Sequence, residues 1–170
     1  MVGIASGLAS SGKIPFISSF AAFILCKGFD QLRMGAAYPK LNVKVAGSHG
    51  GISIGEDGVS QQSVEDVALA CALPGFIVCV PSDEHSMRAA VKAAAAHDGP
   101  VYLRLGRPQA QGVHERHVHF EFGRSIQLRD GHALPLRANV QLLAEAMLAA
   151  AAPAEAGGES RGADRRKSTT

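Results

Sequence analysis

The chain has 170 residues, 46% of them hydrophobic and 19% charged, and a formal net charge of +2. These values predict a soluble globular domain with its own core, and the charge is too small to indicate a nucleic-acid partner. No apolar run reaches membrane-spanning length, and the three cysteines lack CxxC spacing. We therefore predict a cytoplasmic protein with reduced cysteines and no membrane partner.

Strands and helices alternate in the predicted secondary structure. Helices are indicated by apolar residues at helical spacing, and strands by short apolar runs. The predicted elements, in chain order, are a buried helix at Val2–Ser10, a strand at Ile14–Ser19, a helix at Phe20–Ala37, a strand at Val43–Ala46, a helix at Ser63–Leu73, a strand at Phe76–Val80, a helix capped by Ser82 that continues to Ala96, and a strand at Val101–Leu105. The predicted fold class is α/β, with a mostly parallel sheet flanked by helices.

The stretch Gly47–Asp66 is predicted to hold a long polar loop between a strand and a helix. Its glycines permit positive φ angles and close backbone approach, and a loop of this length is usually functional or disordered. Phe20 and Phe23 share one face at the start of the preceding predicted helix. They either pack in the core or form an aromatic wall for a flat ring, because parallel sheets bind ligands at the carboxyl ends of their strands.

The sequence changes character after Pro108. A metal site at His114, His117 and His119 is conceivable, but a solvated edge is favoured, and we assign no metal ligand. Phe120–Leu128 is predicted to be a last strand and Val140–Ala152 a helix. Residues 1–130 are therefore predicted to form the α/β domain, residues 131–152 a remnant of a further domain or an isolated helix, and residues 153–170 a disordered tail. The change reflects either a natural linker or a reading-frame slip.

Several spaced motifs, in matching order, resemble transketolase. They are Ser18-Ser19-Phe20-Ala21-Ala22-Phe23, Phe29-Asp30-Gln31-Leu32-Arg33, Gly47-Ser48-His49, Gly55-Glu56-Asp57-Gly58, Ser60-Gln61-Gln62, Glu65-Asp66, Pro81-Ser82-Asp83 and Leu105-Gly106-Arg107-Pro108. The resemblance extends from Met1 to about Asp130 and corresponds to the pyrimidine-binding domain of that family, truncated at its N-terminus. It implies a transferase of the pentose phosphate pathway that moves a two-carbon ketol unit between sugar phosphates.

The resemblance also implies thiamine diphosphate as the cofactor, with its aminopyrimidine stacked against Phe20 and Phe23. Cys26 stands where many relatives place another aromatic residue, so this wall is expected to be thinner here. Met1 resembles the methionine of the family's Glu-Gln-Asn-Met motif, so the glutamate that activates the cofactor is not in this chain. The domain that holds the diphosphate and Mg²⁺ is also missing. We therefore assign no catalytic residue and expect a diphosphate-binding partner domain or subunit.

Four residues are expected to bind the sugar phosphate, on the same resemblance. His49 and Arg107 would meet the phosphate, Asp57 would accept a hydroxyl of the ketose donor, and Gln61 would orient a substrate oxygen without exchanging protons. Purely structural roles remain open for three of them. His49 would then cap the loop, Asp57 would hold a glycine turn, and Arg107 would pair with a surface acid.

We thus expect a fragment, or a small subunit with a misplaced start, that is a homo- or hetero-oligomer and inactive alone. The alternatives are a relative of deoxyxylulose-phosphate synthase or of a 2-oxo acid dehydrogenase β subunit, and a non-catalytic interaction module. His49 and Glu56-Asp57-Gly58 argue against the first two. A Rossmann-type nucleotide domain is disfavoured because no GxGxxG motif follows the first strand.

Overall fold

The computed structural model describes residues 1–114, 116, 118–129, 134–135, 142–151 and 160–161. Helices and strands alternate along most of this length, which confirms the predicted α/β class. The elements are α1 (Val2–Ser10), β1 (Phe16–Phe20), a π-helical segment (Ala22–Lys27), α2 (Phe29–Leu32), a second π-helical segment (Arg33–Ala37), β2 (Lys44–Ser48), a 3₁₀ turn (Gly55–Asp57), α3 (Asp66–Ala72), β3 (Ile77–Cys79), α4 (Glu84–Ala96), β4 (Val101–Arg104), β5 (Leu134–Pro135), α5 (Leu142–Ala151) and β6 (Ser160–Arg161).

The main sheet has four parallel strands in the order β1-β2-β4-β3. Phe20 is paired with Ser48 across β1 and β2, and Gly47 with Arg104 across β2 and β4. The carboxyl ends of these three strands therefore meet at one edge of the sheet. This register brings the residues after β1, β2 and β4 together, although they are far apart in sequence.

The predicted helix at Phe20–Ala37 is helical after Phe20, which ends β1, but much of it is not α-helix. The amide N–H of Gly28 bonds to the carbonyl of Phe23 at 3.2 Å, and that of Tyr38 to Arg33 at 2.9 Å, which are i→i+5 bonds. A Cβ atom at Gly28 would collide with the carbonyl oxygen of Ile24. A glycine therefore lies where the backbone changes from π- to α-helical geometry.

Helix α1 packs against the core by one face only. Val2, Ala5 and Ala9 are buried, whereas Ile4 is 72% exposed and Leu8 47% exposed. The prediction of a buried helix was therefore correct for one face only. The buried face approaches the second π-helical segment closely, since a Cβ atom at Gly35 would lie 2.6 Å from the Ser6 hydroxyl.

Helix α4 begins with a capping box, but its cap is Asp83 rather than the predicted Ser82. The Asp83 carboxylate accepts the N–H of Ser86 at 2.9 Å, and the Ser86 hydroxyl accepts the N–H of Asp83 at 3.0 Å. Reciprocal bonds of this kind satisfy donors that the first helical turn leaves free. The strand ends differ from their predicted positions by at most two residues, as expected for boundaries.

The predicted strand at Phe120–Leu128 was wrong, because residues 118–129 contain no strand. Phe120 and Phe122 instead pack against the buried cluster formed by Cys79, Ala90, Ala94, Val101 and Leu103. Apolar burial rather than strand pairing thus explains these aromatic residues.

The C-terminal predictions fall partly outside the described residues. Helix α5 lies within the predicted Val140–Ala152, whose residues 140, 141 and 152 are outside that range. Of the predicted disordered tail, only Ser160–Arg161 is described, as the strand paired with β5. Within the part of the chain that the structure covers, no helix has the length and apolarity needed to cross a bilayer.

Candidate functional site

His49 follows directly after β2, and its ring stacks on Phe20 at the end of β1. The ring centroids are 3.8 Å apart and the planes differ by 20°. The imidazole Nδ1 lies 2.9 Å from the Ser48 hydroxyl. His49 has a φ of 60°, a left-handed conformation that few non-glycine residues adopt. Because this conformation is costly, the surrounding contacts must hold it.

Phe23 extends the same row of rings. Its plane is within 4° of that of Phe20, and the two centroids are 5.6 Å apart. Both phenylalanines are half-buried, and the ammonium of Lys27 lies 5.2 Å from the Phe23 centroid. We call His49, Phe20 and Phe23 the aromatic row. The sequence left core packing and an aromatic wall open for Phe20 and Phe23. The observed geometry corresponds to a partly exposed wall rather than to full burial in the core.

Cys26 lies one helical turn beyond Phe23 and contacts the start of α3. Its thiol lies 3.4 Å from the Glu65 carboxylate. Burial, followed by the bond to Glu65, raises the pKa of the Cys26 thiol. A raised pKa leaves a smaller share of the thiol in the nucleophilic thiolate form.

The glycine-rich loop after β2 is closed at its root by backbone hydrogen bonds. The N–H of Gly51 donates to the carbonyl of Ser63 at 2.6 Å, and the N–H of Gly50 donates to that of Leu105 at 2.8 Å. The loop therefore leaves the sheet and returns to the same point, as Ω-loops do. The predicted loop between β2 and α3 is therefore structured at its base, and it is anchored beside the end of β4.

Arg107 contacts this loop through an ion pair with Glu56. The guanidinium Nη1 lies 2.5 Å from the Glu56 carboxylate, and both side chains are largely exposed. The alternative in which Arg107 pairs with a surface acid is therefore what the structure shows. The acid belongs to the loop itself, so the pair holds the 3₁₀ turn Gly55–Asp57 near the end of β4.

Asp57 and Gln61 lie further along the loop. Asp57 is exposed and precedes Gly58, whose φ is 76°, while the Gln61 carbonyl oxygen accepts a bond from the Ser60 hydroxyl. No hydrogen bond or ion pair among the described residues joins either side chain to the aromatic row. The structure thus brings His49, Phe20 and Phe23 into contact, ties Arg107 to the loop, and leaves Asp57 and Gln61 on the loop surface.

A buried polar cluster beneath the loop was not predicted. The fully buried carboxylate of Asp66 accepts the Tyr102 hydroxyl at 2.7 Å and the Arg104 Nε at 2.8 Å. Burial and the bond to Asp66 raise the pKa of the Tyr102 phenol well above its usual range. The only sequence signal was an arginine in an otherwise apolar strand, and sequence analysis named Asp66 only within the Glu65-Asp66 motif.

A second unpredicted cluster joins Asp83 to His114. One Asp83 carboxylate oxygen accepts the N–H groups of Val113 and His114, each at 2.9 Å, and lies 3.1 Å from the His114 Nδ1. Burial alone would raise the pKa of Asp83, but these bonds and those from Ser86 outweigh it and hold the pKa well below its usual range.

The predicted solvated histidine edge is therefore only partly correct. The side chain of His114 is 6% exposed, whereas His119 is exposed and His117 lies outside the described residues. Across the described segments, no group of three or more histidine, cysteine, aspartate or glutamate side chains is arranged to hold a metal ion.

The fold is an open α/β domain in which Phe20 and His49 lie at the carboxyl ends of parallel strands, where folds of this class commonly bind ligands. A family model described as "Transketolase, pyrimidine binding domain" matches residues 1–112. The chain therefore belongs to the transketolase family, and it contains the pyrimidine-binding domain.

Two relatives are proteins that are themselves parts of transketolases. The "Putative transketolase C-terminal section" of Methanocaldococcus jannaschii is 39% identical over 151 residues, which are 88% of this chain and 48% of that protein. The "6-deoxy-6-sulfo-D-fructose transketolase subunit SqwH" of Clostridium sp. is 42% identical over 150 residues, 88% of this chain and 47% of that protein. The chain thus spans about half the length of the curated relatives it matches.

Solved structures agree with this assignment. A structure titled "Split gene transketolase, inactive beta4 tetramer" superposes with a TM-score of 0.84 at 41% identity, covering 94% of this chain and 51% of that one. The transketolase of Campylobacter jejuni superposes with a TM-score of 0.81 at 22% identity, covering 94% of this chain and 26% of that one, which supports the fold alone.

Proposed function

We propose that this chain is the pyrimidine-binding part of a transketolase-type enzyme that transfers a two-carbon ketol unit between sugar phosphates. The observation that carries the proposal is the aromatic row, in which His49 stacks on Phe20 at 3.8 Å, at the carboxyl edge of a parallel sheet. Relatives named as a transketolase section and a transketolase subunit support it.

The aromatic row fits the pyrimidine part of thiamine diphosphate. Phe20 and Phe23 are parallel within 4° and half-buried, so they offer a flat apolar surface on which an aromatic ring can stack. When bound, this cofactor supplies the carbon nucleophile for ketol transfer. Among the described residues, no side chains are arranged as a set of metal ligands. We assign the diphosphate and its Mg²⁺ to a partner domain or subunit.

The remaining site residues act on the substrate in this proposal. The Nδ1 of His49 is engaged by Ser48, so the Nε2 is the ring nitrogen that meets a substrate oxygen. Arg107 attracts the sugar phosphate once Glu56 releases it, because guanidinium groups bind phosphate through a planar fork of donors. Asp57 accepts a ketose hydroxyl, and Gln61 orients a substrate oxygen.

The proposal includes assembly with another transketolase domain or subunit, as a homo- or hetero-oligomer, and no turnover by the chain alone. The similar structure described as "Split gene transketolase, inactive beta4 tetramer" supports both the assembly and the lack of turnover. We place the reaction in the pentose phosphate pathway. We place the protein in the cytoplasm, because Cys26, Cys71 and Cys79 are all free thiols, as expected of a reducing compartment.

A complementation assay tests the proposal. The purified chain, extended before Met1 by Glu-Gln-Asn so that the family's activating glutamate is present, is mixed with thiamine diphosphate, Mg²⁺, xylulose 5-phosphate and ribose 5-phosphate, with or without the diphosphate-binding subunit of a split transketolase. We expect transfer only in the complete mixture. His49→Ala should lower kcat/KM by about tenfold or more, and the matched control His119→Ala, at an exposed histidine, should not. Turnover by the chain alone, or equal activity of the two variants, contradicts the proposal.

A further inference from the structure

We propose that the buried Asp66–Arg104 ion pair positions His49 by fixing the root of the glycine-rich loop. Neither residue is expected to touch substrate or cofactor, so both are positioning residues. The catalytic consequence rests on the function proposed above, whereas the effect on the loop does not. The geometry leads from Asp66 to His49 in three steps.

The first step is the pairing of Arg104 with Asp66. The Asp66 side chain is 0% exposed and that of Arg104 is 17% exposed, and they meet at 2.8 Å. Tyr102 donates to the same carboxylate oxygen at 2.7 Å. Removing one partner of such a pair leaves an uncompensated buried charge, which is strongly unfavourable. Asp66 at the start of α3, itself held by Tyr102 of β4, therefore fixes the position of the Arg104 guanidinium.

The second step leads from Arg104 to the loop. Its Nη2 donates to the Ser63 carbonyl at 3.3 Å, and that carbonyl also accepts the N–H of Gly51. The guanidinium lies so close beneath the loop that a Cβ atom at Gly50 would be 2.8 Å from the Arg104 Nε, and one at Gly51 would be 3.3 Å from its Nη2. Arg104 thus supports the start of the loop and binds its end.

The third step leads from Gly50 to His49. His49 has its left-handed φ of 60° immediately before Gly50, and its ring contacts Phe20 and Ser48. A strained residue keeps such a conformation only where its surroundings determine it fully. If Gly50 and Gly51 lose their support, His49 can relax to an ordinary backbone angle. Its ring would then leave Phe20.

Hydrogen exchange of the Gly51 amide in the full chain tests the loop directly, without a partner. Arg104→Met should reduce the protection of this amide by about tenfold or more, because the Ser63 carbonyl loses its anchor. The matched control is Arg88→Met, which removes an exposed arginine paired with Glu84. It should leave the Gly51 protection at the wild-type value.

Arg104→Lys provides a second variant in case Arg104→Met does not fold. Lysine keeps a charge for Asp66 but lacks the fork that also reaches Ser63. Gly51 protection should fall by about threefold or more, with far-UV circular dichroism unchanged. Wild-type protection of Gly51 in folded Arg104→Met or Arg104→Lys overturns the positioning role.

A double-mutant cycle in the complemented enzyme tests the link to His49. Arg104→Lys alone should lower kcat/KM, but added to His49→Ala it should cause little further loss, because both changes remove the same contact. Independent, multiplying losses would show that Arg104 does not act through His49 and would overturn that link. If the wild-type mixture shows no ketol transfer, the proposed function fails, and the exchange measurement still decides whether Arg104 positions the loop.

Discussion

Glu56 pairs with the guanidinium of Arg107, the group that would bind a phosphate in the proposed function. Its carboxylate lies 2.5 Å from Arg107, and both side chains are largely exposed. Exposed ion pairs contribute little stability, so a phosphate dianion can displace the carboxylate at a small cost. Glu56 would therefore lower the phosphate affinity of Arg107 without abolishing binding.

We predict that Glu56→Gln binds inorganic phosphate about threefold more tightly than the wild type, because a competing anion is removed. The measurement is a phosphate titration followed by the NMR signal of the Arg107 Nε–H. Glu121→Gln, which removes an exposed partner of Arg124, is the control and should not change this affinity. Equal phosphate affinities for Glu56→Gln and wild type would contradict the competition.

Lys44 is fully buried, with its ammonium bonded to the carbonyls of His97 at 2.8 Å and Gly99 at 2.5 Å. Burial lowers its pKa from 10.5 to about 8, although Asp98 acts in the opposite direction. The folded state therefore releases this proton at lower pH than the unfolded state does. The free energy of unfolding consequently rises with pH above about 8.

The predicted window of increasing stability is pH 8 to 9. Burial raises the pKa of Cys79 from 9.0 to about 11, so the unfolded chain loses that proton first and stability from this group falls above pH 9. We expect the free energy of unfolding to rise by about 1 kcal/mol between pH 8 and 9, measured by urea denaturation. The rise should be absent in Lys44→Met, and its persistence there would assign it to another group.

At the scale of elements, Asp83 joins the start of α4 to the segment at Val113 and His114. Its carboxylate accepts backbone N–H groups from Ser86, Val113 and His114. These donors keep the carboxylate charged despite its burial. Loss of the carboxylate would therefore leave donors unsatisfied in two parts of the chain at once.

We predict that Asp83→Ala lowers the free energy of unfolding by about 3 kcal/mol, more than a helix cap alone contributes. The control is Glu84→Ala, at an exposed first-turn acid, which should cost about 0.5 kcal/mol. Because the folded pKa of Asp83 lies below the unfolded value of 3.8, its contribution is present above that pH and is lost as the pH falls below it. Equal denaturation midpoints for the two variants would contradict this role.

The elements show how far the sequence determines the site. The alternating pattern predicted a mostly parallel sheet, and the pairing of β1 with β2 within it brings Phe20 and His49 together. The Asp66–Arg104 pair was not predictable in this way, because its members are 38 residues apart and no periodicity relates them. The π-helical geometry was also not predictable from the sequence. Apolar spacing indicates which face of a helix is buried, but it does not indicate which carbonyl accepts each N–H.

At the scale of the whole molecule, the folded core extends beyond residue 112, where the family match ends. Phe120 and Phe122 pack against the cluster that includes Cys79 and Leu103. The backbone N–H groups of Val113 and His114 donate to Asp83. We therefore propose that the segment after Pro108 belongs to the α/β domain, and the boundary near residue 130 stays a prediction.

We predict that a chain ending at Gly112 unfolds at a lower urea concentration than a chain ending at Arg129, because it loses two aromatic contacts and two donors to Asp83. The chain ending at Arg129, which lacks only residues 130–170, is the matched control. Its midpoint should differ less from that of the full chain than the midpoint of the chain ending at Gly112 does. The measurement is denaturation followed by circular dichroism. Equal midpoints for the two shortened chains would place the domain boundary before residue 113.

The π-helical segment Ala22–Lys27 has a consequence for how relatives are aligned. A turn closed by i→i+5 bonds holds one residue more than an α-helical turn. The extra residue is confined to that turn, and the helix on either side is not displaced. Deleting a single position there can restore regular winding while the flanking faces keep their direction. A one-residue gap in an alignment is therefore tolerable at this point, whereas elsewhere in a helix it would rotate every later side chain by about 100°.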